Sequence, residues 1–265
     1  MTNIDINAPL ARGRTADVFA WEDGQILKLF HNWFPLHDVE WEQQIARAVH
    51  ASGVSAPAVI GDIVQVEGRN GLVYERIDGQ SMLALLPSQP WKIFTFAKRF
   101  AALHAQMHAH NFTADVPTQR SKFDHRIRYQ AQMPDTLRAA LLERLATLPD
   151  NGRICHGDFH PANVLVTPTG DSVIDWMDAS RGNPLADVAR TSIIFLGAVE
   201  SEQISNPVMK VFVRVFHSAY LKEYFRLRPG GQDEYRRWLP VIAAARLIEG
   251  MKELESWLLE QAGKL

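Results

Sequence analysis

His156-Gly157-Asp158-Phe159-His160-Pro161-Ala162-Asn163-Val164-Leu165 is the stretch on which the reading of this chain turns. It holds His-x-Asp, then four residues, then Asn, and Asp175 follows seventeen positions after Asp158 in Val173-Ile174-Asp175-Trp176. Between them, Val164-Leu165-Val166 and Ser172-Val173-Ile174 flank Pro168-Thr169-Gly170, the pattern of a short β-hairpin. This spacing suits phosphoryl transfer. Such chemistry needs a carboxylate to receive or orient the proton of an attacking hydroxyl. It also needs oxygen ligands for Mg²⁺, a hard cation. Asn163 can turn back toward the phosphates, and Asp175, delivered by the hairpin, can hold the metal from the other side. A lone loop Asp or Asn usually caps a turn or sits in solvent; the joint pattern points to chemistry.

Upstream, the chain reads as strand-rich. Asp17–Trp21 and Gln25–Phe30 are apolar runs divided by Glu22-Asp23-Gly24, a hairpin turn. A second hairpin is expected from Ile63–Val66 and Leu72–Tyr74, with Asn70-Gly71 as its tight turn. An opening strand is expected near Pro9-Leu10-Ala11. From His37 to Ser52, Val39, Glu42, Ile45, Ala46 and Val49 recur at helical spacing, and Gly53 ends the run. Lys28 breaks the apolar strand Ile26–Phe30. Alone it reads as a solvated lysine; followed by an acidic helix, it reads as a phosphate-binding lysine paired with a glutamate. Glu42 is the better partner, because Ile45 and Val49 continue its face, and Glu40 is the other choice. Gly13-Arg14-Thr15-Ala16 lies where a phosphate-covering loop belongs, and its backbone N–H groups are potential donors.

After Ile77-Asp78-Gly79 the pattern turns helical. Expected helices follow Pro90, span Asp135–Leu148 and Asn206–Phe225, and run from Asp233 to Leu259. The reading is α+β: a small lobe, 1–77, and a larger helical lobe, 78–265, meeting near 75–79. The 265 residues hold 46% hydrophobic and 22% charged side chains, ordinary for a soluble globular chain. Lys and Arg total 28 against 30 Asp and Glu, a net charge of −2 that argues against a nucleic-acid-gripping surface. Cys155 is the single cysteine, so neither a disulfide framework nor a cysteine zinc cluster can form. The polar opening Met1–Ile6 is not a signal peptide, and no run of about 18 apolar residues suggests a membrane span. A cytoplasmic protein is the expectation.

The decamer, with Ile174-Asp175-Trp176-Met177-Asp178-Ala179 and Gly182-Asn183-Pro184-Leu185-Ala186-Asp187-Val188-Ala189, resembles the aminoglycoside phosphotransferase and choline kinase superfamily of protein-kinase-like small-molecule kinases. Ala56-Pro57-Ala58-Val59 and Ala102-Leu103-His104 extend the likeness. It implies a bilobal protein-kinase-like fold: an antiparallel-sheet lobe with one helix, then a mainly helical lobe. It implies Asp158 as catalytic base, Asn163 and Asp175 as Mg²⁺ ligands, and Lys28, oriented by Glu42, on the α- and β-phosphates. Gly13, Arg14, Thr15 and Ala16 would cover the nucleotide. The backbone of Glu75 and Ile77 would hold adenine, with Tyr74 behind it. Asp187 would brace the catalytic loop. Asn183 stands where the family often has Asp, and the glycine-poor phosphate loop leaves ATP and GTP both open.

The implied reaction moves the γ-phosphate of ATP or GTP to a hydroxyl of a small molecule. Alternatives are a choline-, homoserine- or sugar-like acceptor, or a non-catalytic nucleotide-binding pseudokinase, against which the intact set Lys28, Glu42, Asp158, Asn163 and Asp175 speaks. A protein kinase is disfavoured, since no long activation segment separates Asp175 from Asp187 and Trp176-Met177 replaces Phe-Gly.

Other features read as structural. His104 and His108 lie four apart, yet His104 falls on an apolar stripe and reads as core. Arg120, Lys122, His125, Arg126 and Arg128 read as a solvated loop or helix face rather than as a contact for an anionic substrate. Cys155, Trp176 and Trp257 read as buried. From Thr191 onward nine acids, Glu202 among them, meet ten bases, which disfavours a polycationic acceptor. Tyr220, Tyr224, Phe225, Tyr235 and Trp238 suit either an aromatic cage for a quaternary ammonium or a core. Arg246 and Glu249, placed on one helix, are either a substrate contact or an exposed ion pair.

Overall fold

The computed structural model describes residues 6–201 and 204–265, so the polar opening Met1–Asp5 and Glu202 of the acid count lie outside the described residues. In chain order the elements are β1 (Ala11–Arg12), β2 (Ala16–Ala20), β3 (Gln25–Phe30), α1 (Leu36–Ala51), β4 (Val59–Val66), β5 (Arg69–Glu75), β6 (Gln80–Ser81) and α2 (Met82–Ser88). They continue with α3 (Ile93–Met107), α4 (Gln119–Arg128), α5 (Asp135–Thr147), β7 (Arg153–Cys155), β8 (Val164–Val166), β9 (Asp171–Val173) and β10 (Ser180–Gly182). The chain ends with α6 (Pro184–Glu200), α7 (Pro207–Leu227), α8 (Gln232–Arg246) and α9 (Glu255–Ala262). Two compact units form: Met1–Ser81 with Asn163–Met177, and Met82–Ala162 with Asp178–Leu265. The hairpin segment Asn163–Met177 therefore belongs with the first unit, although the residues before and after it in sequence belong to the second.

In the first unit an antiparallel sheet has the order β1-β2-β3-β5-β4. Strand alternation sorts its side chains. Leu27 and Leu29 join Phe19 and Val73 in one cluster, while Phe30 joins Ala16, Val39, Ala46, Leu72 and Tyr74 in another. Lys28 shares the parity of Phe30 and so faces α1. On α1 the inward stripe is Val39, Glu42, Ile45, Ala46 and Val49, all buried. A three-stranded sheet, β6-β8-β9, completes the unit.

The second hairpin differs from the expectation. Its turn lies at Glu67 (φ 49°) and Gly68 (φ 77°), two consecutive left-handed residues that suit a hairpin's twist. Asn70-Gly71 lies inside β5 instead. A Cβ on Gly71 would stand 2.7 Å from a Leu27 methyl, so packing explains that glycine.

The second unit is helical around a core that includes Leu141, Leu145, Ile193, Trp238 and Leu258, plus a two-stranded β7–β10 ribbon. The single helix expected over Asp233–Leu259 is broken. α8 ends at Arg246, a 3₁₀ turn spans Leu247–Glu249, Gly250 takes φ +67°, and α9 begins at Glu255. Glycine is the residue that adopts this left-handed stop without strain. Among the described residues, no helix is long and apolar enough to cross a membrane.

Candidate active site

In the first unit, Lys28 Nζ lies 2.7 Å from Glu42 Oε1 and 3.3 Å from Asp175 Oδ1. Burial disfavours the Lys28 ammonium, but the two carboxylates more than offset it and raise its pKa. Tyr74 Oη donates to the same Glu42 oxygen at 2.9 Å. Burial, then the Glu42 charge, pushes the Tyr74 phenol well above its usual range. Glu42 is the glutamate that meets the lysine; Glu40 is exposed. Among the described residues, Glu42 Oε2 is the one buried side-chain oxygen or nitrogen with no hydrogen-bond partner.

Asp175 sits at φ +65°, in the left-handed region that costs a non-glycine residue strain and concentrates at functional sites. Its neighbours hold it there: Trp176 Nε1 donates to Val173 O at 2.9 Å, and Trp41 Nε1 donates to Met177 O at 3.2 Å. Asn163 is buried, and its carbonyl accepts from Ile174 N at 3.0 Å, tying the start of the hairpin to the residue before Asp175. The side-chain amide oxygen and the carboxylate are hard donors of the kind Mg²⁺ prefers.

Gly13 N donates to Ala16 O at 2.9 Å and His31 N to Thr15 O at 2.9 Å, closing Gly13–Ala16 into a tight turn. A Cβ on Gly13 would stand 2.8 Å from Ala16 O, which explains glycine there. Arg14 and Thr15 lie in that turn. The Glu75 N–H is already committed to Ala58 O at 2.9 Å. The Ile77 N–H has no partner among the described residues, so Ile77 is the available donor of the pair.

The second unit presents Asp158, 35% exposed at its side chain. The chain on either side is anchored. Phe159 is fully buried, stacking on Phe100 at 4.2 Å and on His104 at 4.1 Å between centroids. Asp187 Oδ2 accepts from His156 N at 2.7 Å and Oδ1 from Gly157 N at 2.8 Å. Burial raises the Asp158 carboxyl, while His160, Arg190 and His156 outweigh it and hold it well below the usual range.

His104 and His108 form part of a buried network. Their Nε2 atoms lie 3.2 and 3.3 Å from Asp187 Oδ2, and their Nδ1 atoms lie 2.8 and 2.7 Å from the hydroxyls of Tyr220 and Tyr224. With Asp187 accepting, each Nε2 donates and each Nδ1 accepts from a tyrosine. Burial, then His108, lowers His104 to about 3. The three ligand atoms lie within 4.8 Å of one another, a spacing a metal could use, yet hydrogen bonds already account for them. Tyr220, Tyr224 and Trp238 are core, not a cage.

The basic segment is only partly a solvated face: His125 and Arg128 are exposed, whereas Arg120, Lys122 and Arg126 are engaged. Lys122 Nζ donates to the carbonyls of Asp178 and Ala179 at 3.0 Å, Arg126 pairs with Asp178 at 3.0 Å, and Arg120 donates to the carbonyls of Leu145 and Leu148. Asn183 caps α6 through Leu185 N while its amide donates to Glu234 at 2.7 Å, a bond that an ionised aspartate could not make. Sequence reasoning missed Arg190. It is buried in α6, donating to Gly157 O at 2.9 Å with Nη2 3.7 Å from Asp158 Oδ1. A charged residue on the otherwise apolar face after Asp187 was the available signal.

The profile of the phosphotransferase enzyme family matches residues 7–229. The chain belongs to that family. Among solved structures, aminoglycoside phosphotransferase APH(4)-Ia is similar, with 17% identity and a TM-score of 0.66 over 98% of this chain and 92% of that one. A choline/ethanolamine kinase family protein from Mesorhizobium loti gives 17%, 0.63, 98% and 88%, and amicoumacin kinase hAmiN 16%, 0.59, 96% and 85%. At such identities the likeness is one of fold, the protein-kinase-like fold of small-molecule kinases. Among curated proteins no sequence matches.

Proposed function

We propose that this member of the family is a kinase that moves the γ-phosphoryl group of ATP or GTP to a hydroxyl of a small molecule. The observation that carries the reading is Lys28 between Glu42 and Asp175, its ammonium 2.7 and 3.3 Å from two carboxylates distant in sequence. Similar structures include APH(4)-Ia in a ternary complex with AMP-PNP and hygromycin B and hAmiN with AMP-PNP and Ca²⁺, which supports nucleotide binding here.

Residues 1–77 serve the nucleotide. Lys28, oriented by Glu42, neutralises phosphate charge; Gly13, Arg14 and Thr15 cover the phosphates; Ile77 N–H and the Glu75 carbonyl bracket adenine, with Tyr74 behind. Asn163 and Asp175 hold Mg²⁺, which when bound neutralises charge on the phosphate oxygens. Residues 78–265 serve catalysis and the acceptor. Asp158 accepts the hydroxyl proton as the hydroxyl oxygen bonds to phosphorus; the bond from the γ-phosphorus to the bridging oxygen breaks, and its electron pair leaves with the nucleoside diphosphate. A carboxylate held ionised is suited to orient and then accept that proton.

The test is diphosphate release against a panel of aminoglycosides, amino alcohols, sugars and hydroxy acids. Asp158→Asn is expected to lower turnover on the order of 10²- to 10⁴-fold while nucleotide binding persists. Unchanged turnover would remove Asp158 from its role.

A further inference from the structure

Two arginines beside Asp158 are left over by the reaction just described. Arg190 Nη2 lies 2.5 Å from Glu249 Oε1, and Arg246 Nε lies 3.2 Å from Glu249 Oε2. One carboxylate thus bridges two guanidinium groups. Arg246 Nη1 also donates to Ile193 O at 2.9 Å. The side chains of Arg190 and Arg246 are only 8% and 11% exposed.

Their donors exceed the acceptors supplied. A guanidinium carries five N–H groups and keeps its charge at any relevant pH. Arg190 spends Nε and Nη2; its Nη1 has no oxygen acceptor among the described residues. Arg246 spends Nε and Nη1; its Nη2 meets only the Met251 thioether at 3.8 Å, a weak acceptor. Burial and the neighbouring Arg190 charge disfavour the Arg246 cation. Largely buried cationic donors in this state are stabilised by an anion with two oxygens, which a guanidinium fork matches in geometry.

We infer that the acceptor alcohol carries an anionic group, a carboxylate or a phosphate, which docks on Arg190 and Arg246 while its hydroxyl faces Asp158. This rests on the phosphotransferase reading above. With Arg190 Nη2 3.7 Å from Asp158 and Nη1 on the same guanidinium carbon, ordinary hydrogen-bond lengths put the anionic oxygen and the reacting hydroxyl within roughly 12 Å, so the acceptor is a small molecule.

A matched three-carbon set tests the inference by nucleoside diphosphate release: glycerol, 3-amino-1,2-propanediol, glycerate and glycerol 3-phosphate. Glycerate or glycerol 3-phosphate is expected to show a kcat/KM at least about 10- to 100-fold above both uncharged and cationic members, the span of a lost charge-assisted hydrogen bond. Which anion leads distinguishes carboxylate from phosphate. Arg246→Gln is expected to collapse that ratio through KM. Arg246→Lys, which keeps the charge and loses the fork, is expected to recover part of it and guards against a folding defect in the first variant. Equal rates across the set, preference for the amine, or no turnover of either anion overturns the inference. Amine or sugar turnover that still requires Asp158 leaves the phosphotransferase reading standing; failure of every alcohol in the wider panel takes both down.

Discussion

Glu42 and Asp187 are both buried carboxylates, yet their surroundings differ sharply. Asp187 receives two backbone N–H groups and two imidazoles, so both oxygens are filled. Glu42 receives Lys28 and Tyr74 on one oxygen and nothing on the other. A fully satisfied network in a low-dielectric interior rigidifies what it touches, while a half-filled one leaves room for rearrangement. Asp187 accordingly holds the backbone at His156 and Gly157, just before Asp158. Glu42 holds a lysine that also meets Asp175, an assembly suited to respond to a ligand.

The largest effect that would sharpen this contrast is at Asp187. Asp187→Asn leaves buried donors facing an amide and is expected to cost about 3–5 kcal/mol of stability by urea denaturation. A loss below about 1 kcal/mol would show that the hub is not structurally central. Acid comes next. The folded pKa of His104 and His108 lies below the ordinary value near 6.5, so below that pH the unfolded chain takes up protons that the fold refuses. Stability is therefore full at neutral pH and falls by about 1.4 kcal/mol per pH unit per histidine, for His104 down to about 3. Asp187 adds its own loss below about 3.9, the ordinary carboxyl value, because its folded pKa is depressed. Denaturant midpoints that stay flat between about pH 6.5 and 4.5 would mean charged imidazoles and would break the neutral-hub picture. The smallest effect is at Glu42. Glu42→Gln is expected to lower kcat/KM for the nucleotide about 10-fold, or about 1.4 kcal/mol, with a smaller change in stability than at Asp187. If its stability loss matched that of Asp187→Asn, the two carboxylates would not differ in kind.

Part of the site is readable because its logic is local. Asp158, Asn163 and Asp175 announce themselves by spacing, Lys28 by interrupting an apolar strand, and Glu42 by standing among inward helix positions. The partners of these residues are less readable. Tyr74 reaches Glu42 across 32 residues and Arg190 reaches Asp158 across 32, and nothing in either local pattern specifies the other. The same limit explains two misplacements in the fold. Asn70-Gly71 satisfies the hairpin-turn rule as well as the true turn at Glu67-Gly68 does, and only packing against Leu27 separates them. Periodicity runs through Gly250, whereas the backbone stops there in a left-handed conformation.

The sequence by itself determined the α+β class, the order of strands and helices in the first eighty residues, and the candidate residues for phosphoryl transfer. The class and the order follow from period and turn chemistry, and the candidate residues from short spacings, all of which act within a few residues. Tertiary structure alone decided that Asn163–Met177 joins the first unit, that Lys122 and Arg126 brace Asp178 and the backbone around it, and that buried Arg190 and largely buried Arg246 share Glu249 beside Asp158. Burial and charge pairing between distant segments create these features, because the energy of a buried charge depends on which partners the whole fold brings to it.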